Sequence, residues 1–286
     1  MALRLDDAPP VERQALMERQ LASRELAAER HPAGVVAAAD EGAALLVNEE
    51  DHVRLQVIGA GLDLDGCLAR AVATDQALEA VVPWAFHPRY GYLTACHTNT
   101  GTGMRASVML HLPALHETGE LKAVLRALAK LNLTVRGAHG EGSEARGHRY
   151  QVSNLRALGV DEQTIAATVA EAAQQVVAAE RLARQALAEK QRTLLEDKVW
   201  RAWGLLTHAR TLTSEEFDEH LSWVRLGSAL RVLNPDHVPS WRALDRIALH
   251  AQPAHIQLRF PDAADSAVRD RRRAELVRHA LQQVEP

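Results

Sequence analysis

Lysine is scarce in this 286-residue chain: Lys122, Lys130, Lys190 and Lys198 are all it has. A Walker-type loop and a glycine-rich kinase lobe each need a phosphate-binding lysine, so neither lies in the first hundred residues. Cysteine is scarcer still. Cys67 and Cys96 are too few for a disulfide framework, and no Cys/His spacing among the 14 histidines fits a structural zinc site. No eighteen apolar residues run together, and the opening MALRLDDAPPVERQ is charged and proline-bearing with no apolar h-region. A cytoplasmic protein with no membrane partner is expected. The net charge of −4 supplies no broad basic surface, which argues against nucleic acid as a partner. With 47% hydrophobic residues, the chain has length and apolar content for one large or two ordinary domains.

The two halves differ in periodicity. Up to about residue 157 short alternating segments are separated by turn signals, and from about Asp161 the sequence is alanine-rich with helical spacing. We therefore expect an α+β fold, with a mostly antiparallel sheet and flanking helices over residues 1–157 and an all-helical domain over 158–286. Val53, Leu55 and Val57 alternate with Arg54 and Gln56, the pattern of a strand with one buried face. Leu64 to Ala80 reads as a helix, Gly91 to Cys96 as a strand, and Arg105 to Leu112 as a strand with Ala106, Val108, Leu110 and Leu112 on one face and Arg105, Ser107 and Met109 on the other. A helix over Thr118 to Leu131 follows, then strands at Leu133–Val135 and Arg149–Ser153 around a glycine-bearing loop. In the second half, Ser214 and Ser240 are the expected helix caps, and a last helix follows Ser266.

Arg54, Arg105 and Arg136 each stand on the polar phase of an apolar strand. If these strands are neighbours, three guanidinium groups converge and repel unless an anion binds, and the planar fork of arginine suits phosphate oxygens. The alternative is that each arginine pairs with a surface carboxylate.

Gly91 to Leu115 reads GYLTACHTNTGTGMRASVMLHLPAL, and Asn48-Glu49-Glu50-Asp51-His52 lies upstream. Together these segments resemble the active-site signature of the phosphagen (guanidino) kinases. The resemblance implies the phosphagen kinase or glutamine synthetase-like catalytic fold, with Arg54, Arg105 and Arg136 binding the phosphates of ATP and Mg2+ shared among the phosphate oxygens. Asn99, Gly101 and Gly103 would help to cradle phosphate through backbone amides, although glycines there would equally serve a tight turn. A substrate guanidinium has to be held flat and relieved of a proton despite a solution pKa of roughly 13.8, and a pair of carboxylates does both. By resemblance that pair is Glu50 and Glu141, with Glu144 as a helper or a solvated loop residue. Cys96 takes the position beside the guanidino substrate, or is simply a small buried cysteine. His97 departs from the family's proline and loosens the turn.

The helical second half narrows the resemblance to bacterial protein-arginine kinases of the McsB type, through Gly-Glu-Gly-Ser-Glu, Leu194-Leu195-Glu196-Asp197-Lys198-Val199 and Val224-Arg225-Leu226-Gly227. The implied activity is phosphoryl transfer from ATP to arginine side chains of proteins, marking them for Clp-type degradation or stress regulation. The implied partners are protein substrates with exposed arginines, a Clp-type unfoldase or an activator protein, and a second copy in a homodimer. Arg269-Asp270-Arg271-Arg272-Arg273-Ala274 resembles the family's phosphoarginine-binding motif, in which Arg269 and Arg273 hold the phosphoryl group and Asp270 the guanidinium. The ordinary alternative is a solvated basic helix face. The family's upstream Ser-x-Arg-x-Arg segment is not found here, and residues 1 to 47 resemble the linker that follows it, so the chain is expected to start late relative to its relatives. A phosphate-clamping arginine is worth roughly 10³ to 10⁵ in rate. The second expectation is accordingly a weak or inactive relative that acts as a phosphoarginine-binding adaptor.

Overall fold

A computed structural model describes residues 1–28, 31–137 and 146–282. Glu141 and Glu144 therefore lie outside the described residues. Two compact units divide the chain: Met1–Val108, Arg126–Val135 and Gln151–Gln175 form one, and Met109–Leu125, Arg136–Tyr150 and Val176–Pro286 the other.

The first unit is built on an antiparallel sheet of β1 (Ala2–Arg4), β2 (Gly34–Ala37), β3 (Ala43–Val47) and β4 (Val53–Val57), paired in that order. Helices α1 (Pro10–Glu18) and α2 (Arg24–Ala28) sit in the β1–β2 connection. Leu16, Leu21 and Leu26 from that connection pack with Val35, Ala37, Ala44 and Leu46 of the sheet in one apolar cluster. Burying a leucine of this kind contributes roughly 1.5 to 3 kcal/mol.

Strand β4 occurs where the alternation put it, but its apolar phase is not the sealed face. Arg54 lies opposite Leu46 and Gln56 opposite Ala44, so the polar side chains of β4 share the face of the core. Val53, Leu55 and Val57 are half-buried on the other face. The cause is position in the sheet: β4 is an edge strand, where a long polar side chain can lie beside a core residue and still reach water.

Helix α3 (Leu64–Glu79) begins where Asp63 accepts the Gly66 N–H at 3.0 Å, and it packs against β4. After it come the two-residue strands β5 (Phe86–His87) and β6 (Gly91–Tyr92). The strand expected over Gly91 to Cys96 thus ends at Tyr92. Thr94 Oγ1 donates to Cys96 O at 2.7 Å and the Asn99 N–H reaches Cys96 O at 3.0 Å, which turns the backbone away from a ladder.

Strand β7 (Ser107–His111) keeps the expected alternation: Ala106, Leu110 and Leu112 are buried and Met109 is exposed. The helix expected over Thr118 to Leu131 is α5 (Leu121–Lys130), which starts later because a turn at Gly119, with φ +75°, separates it from a short helix α4 (Pro113–Glu117). Strands β8 (Leu133–Gly137) and β9 (Arg149–Asn154) complete a three-stranded sheet in the order β7-β9-β8. The Leu112 N–H bonds His148 O and the Asn154 N–H bonds Ala106 O, an antiparallel pattern for β7 and β9.

From Glu162 onward the described chain is helical: α6 (Glu162–Lys190), α7 (Arg192–His208), α8 (Ser214–Ala229), α9 (Trp241–His250), α10 (Pro253–Arg259) and α11 (Ser266–Gln282). Thr213, not Ser214, caps α8, in a capping box with Glu216, whereas Ser240 caps α9 as expected. A Cβ on Gly227 would stand 2.3 Å from Val199 Cγ1, so α7 and α8 approach too closely there for any side chain.

Candidate active site

The β3–β4 turn carries the acidic segment. Asn48 adopts φ +56° and its N–H bonds His52 O at 2.9 Å, folding residues 48–52 into a short loop. Glu49 points inward with its side chain 7% exposed, and Arg54 Nη1 donates to it at 2.9 Å. Burial pushes the Glu49 carboxyl up, but the Ser23 hydroxyl and the Arg54 charge outweigh it and leave the group below the ordinary glutamate range. Glu50 is exposed at the loop tip. Next to it, Asp51 Oδ1 accepts the Ala95 N–H at 2.7 Å, which joins this loop to the Cys96 turn. Cys96 is half-buried with Sγ 3.0 Å from Thr98 Oγ1, and His97 is exposed. Glu50 and Cys96, distant in sequence, thus stand on two segments bound to each other inside the first unit.

The glycine loop follows. Gly101 donates its N–H to Tyr92 O and accepts from the Tyr92 N–H, and with φ +121° its absent Cβ would meet Ala157 O at 2.3 Å. Its amide is therefore taken by Tyr92, and glycine is required there by close backbone approach; the expected phosphate contact through that N–H does not fit this arrangement. Gly103 also adopts positive φ, +62°, and Asn99 is half-buried in the preceding turn.

Arg105 is exposed immediately before β7. Asn154, buried on β9, grips the backbone on both sides of it: its Oδ1 accepts the Ala106 N–H at 2.8 Å and its Nδ2 donates to Met104 O at 3.2 Å. This carboxamide, Asp51 and Ser23 are site residues that sequence reading missed. Asn154 is the last residue of a strand of ordinary pattern, and only the fold reveals what its side chain holds. Arg54 and Arg105 belong to the first unit, and Arg136, half-buried on β8, to the second.

The basic motif on α11 is more occupied than its sequence implies. Arg273 is 1% exposed, donating to Ala251 O at 2.8 Å, Leu212 O at 2.7 Å and Asp270 Oδ1 at 2.6 Å. A guanidinium so enclosed is a structural clamp, and the expectation that Arg273 offers itself to a phosphoryl group does not match its packing. Arg269 is half-buried and donates to Ala264 O, and Asp270 is also half-buried.

No three His, Cys, Asp or Glu side chains cluster to hold a metal ion among the described residues.

Residues 1–183 match the family described as ATP:guanido phosphotransferase, C-terminal catalytic domain. In class the chain is a guanido phosphotransferase. Solved structures agree on the fold: the substrate-free duplicated taurocyamine kinase from Schistosoma mansoni superposes with TM-score 0.50 at 26% identity over 63% of this chain and 25% of that one. Lombricine kinase superposes with TM-score 0.53 at 22% identity, over 66% of this chain and 54% of that one. Residues 192–286 match the protein-arginine kinase McsB C-terminal domain. A curated protein-arginine kinase of Desulforamulus reducens is 44% identical over 97% of this chain and 77% of its own length. Those of Caldanaerobacter subterraneus subsp. tengcongensis and Symbiobacterium thermophilum are 40% and 43% identical, over 96% and 97% of this chain and 81% and 78% of their own lengths. The chain belongs to the protein-arginine kinase family.

Proposed function

We propose that the chain transfers the γ-phosphoryl group of Mg-ATP to arginine side chains of proteins. In this reading Arg54, Arg105 and Arg136 face the phosphates, Mg2+ travels with the nucleotide, and Glu50 with Glu141 seats the incoming guanidinium. A guanidino nitrogen attacks the γ-phosphorus, the bond to the ADP oxygen breaks, and the nitrogen's proton passes to a carboxylate. The observation that carries the reading is the hairpin loop on which Glu50 stands: Glu49 holds Arg54 on one side of it and Asp51 holds the Cys96 turn on the other. Phosphoryl transfer depends mainly on positioning and charge neutralisation; the loop supports the positioning, and in this reading the phosphates compete with Glu49 for Arg54.

In the same reading, residues 1–157 carry the chemistry and residues 158–286 the recognition of phosphoarginine, with Arg269 and Asp270 as contacts. The family resemblance extends it to a cytoplasmic homodimer whose products pass to a Clp-type unfoldase under an activator's control. The direct test compares ADP release from Mg-ATP with an unfolded protein and with the same protein after its arginines are chemically blocked. Release should require the unblocked arginines; equal release in the two samples would refute the proposal.

A further inference from the structure

Two histidines of the second unit converge on one serine. His111 closes β7 with Nε2 2.7 Å from Ser222 Oγ of α8, and His148, just ahead of β9, places Nδ1 2.7 Å from the same oxygen. One hydroxyl has one proton, so it donates to one ring and accepts from the other. His111 Nδ1 is buried with no partner. A bare acceptor is better tolerated there than an orphaned N–H, which puts the His111 proton on Nε2. The bonds then run from His111 Nε2–H to Ser222 Oγ, and from Ser222 O–H to His148 Nδ1.

Both rings are neutral. Burial holds His111 well below the ordinary histidine range, reinforced by Arg225, Arg184, His148 and Arg149. Burial likewise takes His148 down to about 4, with His116 and Lys198 lowering it further and Glu117 opposing them. The pair is thus a fixed hydrogen-bonded bracket at neutral pH, with no charge to lose.

Ser222 is also the last of three polar positions along one face of α8, spaced i, i+3 and i+7. Arg146 reaches Glu215 at 3.8 Å and Arg149 reaches the buried Asp218 at 3.5 Å. Gly147 has φ +57°, and a Cβ there would lie 2.7 Å from Asp218 O, so the backbone itself rests on the helix. Leu112 N–H to His148 O, 2.9 Å, ties the two histidine-bearing segments to each other. In the sequence, residues 146–149 lead from Glu141 into β9, and β7 begins two residues after Arg105.

We propose that Ser222 is a positioning residue for phosphoryl transfer, bracketing the end of β7 and the entry to β9 on α8 through His111 and His148; this rests on the protein-arginine kinase reading. The test compares wild type, Ser222→Ala and Ser222→Thr at a temperature where circular dichroism finds all three folded. Ser222→Ala should lose at least about tenfold in kcat with KM for ATP within about twofold, since a reacting group displaced by an ångström forfeits up to roughly 10²-fold. Ser222→Thr keeps the hydroxyl and should retain most of the activity. Wild-type kcat in folded Ser222→Ala would overturn the positioning role while leaving the kinase reading intact, whereas a wild-type chain that forms no phosphoarginine would overturn the kinase reading itself. If Ser222→Ala does not fold, His148→Gly, which tolerates the positive φ of that position and removes the acceptor of the Ser222 hydroxyl, carries the test: the same fall in kcat supports the role and an undiminished kcat overturns it.

Discussion

Asp51 Oδ1 accepts the backbone N–H of Ala95 at 2.7 Å, across 44 residues of sequence. This bond fixes the Glu50 loop against the Cys96 turn. Asp51→Ala should lower kcat roughly 10- to 100-fold by letting the loop drift. Asp51→Asn keeps an acceptor oxygen and should retain most of the turnover. Steady-state kinetics of the two variants decides the point.

Arg105 stands beside a backbone held on both sides by Asn154. Replacing it with lysine keeps the charge but loses the planar fork, so Arg105→Lys should not rescue the defect of Arg105→Ala. Either change should reduce phosphoryl transfer by roughly 10³-fold, the lower end for an arginine that neutralises a transferring phosphoryl group. Single-turnover kinetics with saturating Mg-ATP measures it.

Arg273 and Arg269 should separate by readout. Arg273→Ala removes the donor to two backbone carbonyls in the interior and should destabilise the fold by roughly 3 kcal/mol. Arg269→Ala should leave stability nearly unchanged while weakening phosphoarginine binding. Thermal denaturation alongside calorimetric titration with phosphoarginine distinguishes them.

Stability should fall on mild acidification. His148 has its folded-state pKa depressed to about 4, against an ordinary value near 6.5. Above about 6.5 neither state binds the proton. Below it the unfolded chain takes up a proton that the folded one refuses, so stability declines from about pH 6.5 towards 4, by at most on the order of 3 kcal/mol from this group. Denaturant midpoints across that range should show the decline, and His148→Asn should make it shallower, leaving the part that His111, His220 and His250, also held below the ordinary histidine range, contribute.

Much of the architecture can be read from local pattern. The alternation in β4 and β7 and the break to helix near Asp161 follow from side-chain periods of 2 and 3.6, which are properties of neighbouring residues. What escapes such reading is contact between distant segments. Arg54 lies on the core face because β4 is an edge, and nothing in Val53–Val57 says so. Gly101 suggests a phosphate loop until Tyr92 and Ala157 are found against it. Arg273 looks like one member of an exposed basic run, yet the carbonyls of Ala251 and Leu212 enclose it. The acidic segment and the Cys96 turn were both legible as motifs; the Asp51 bond that unites them was not.

The most direct measurement is mass spectrometry, at neutral pH, of an unfolded protein incubated with the chain and Mg-ATP. Phosphate on arginine, lost on acid treatment and lacking when Glu50→Gln replaces the wild type, is the predicted result. A folded wild-type chain that leaves every arginine unmodified, or a Glu50→Gln variant with undiminished yield, would contradict the account.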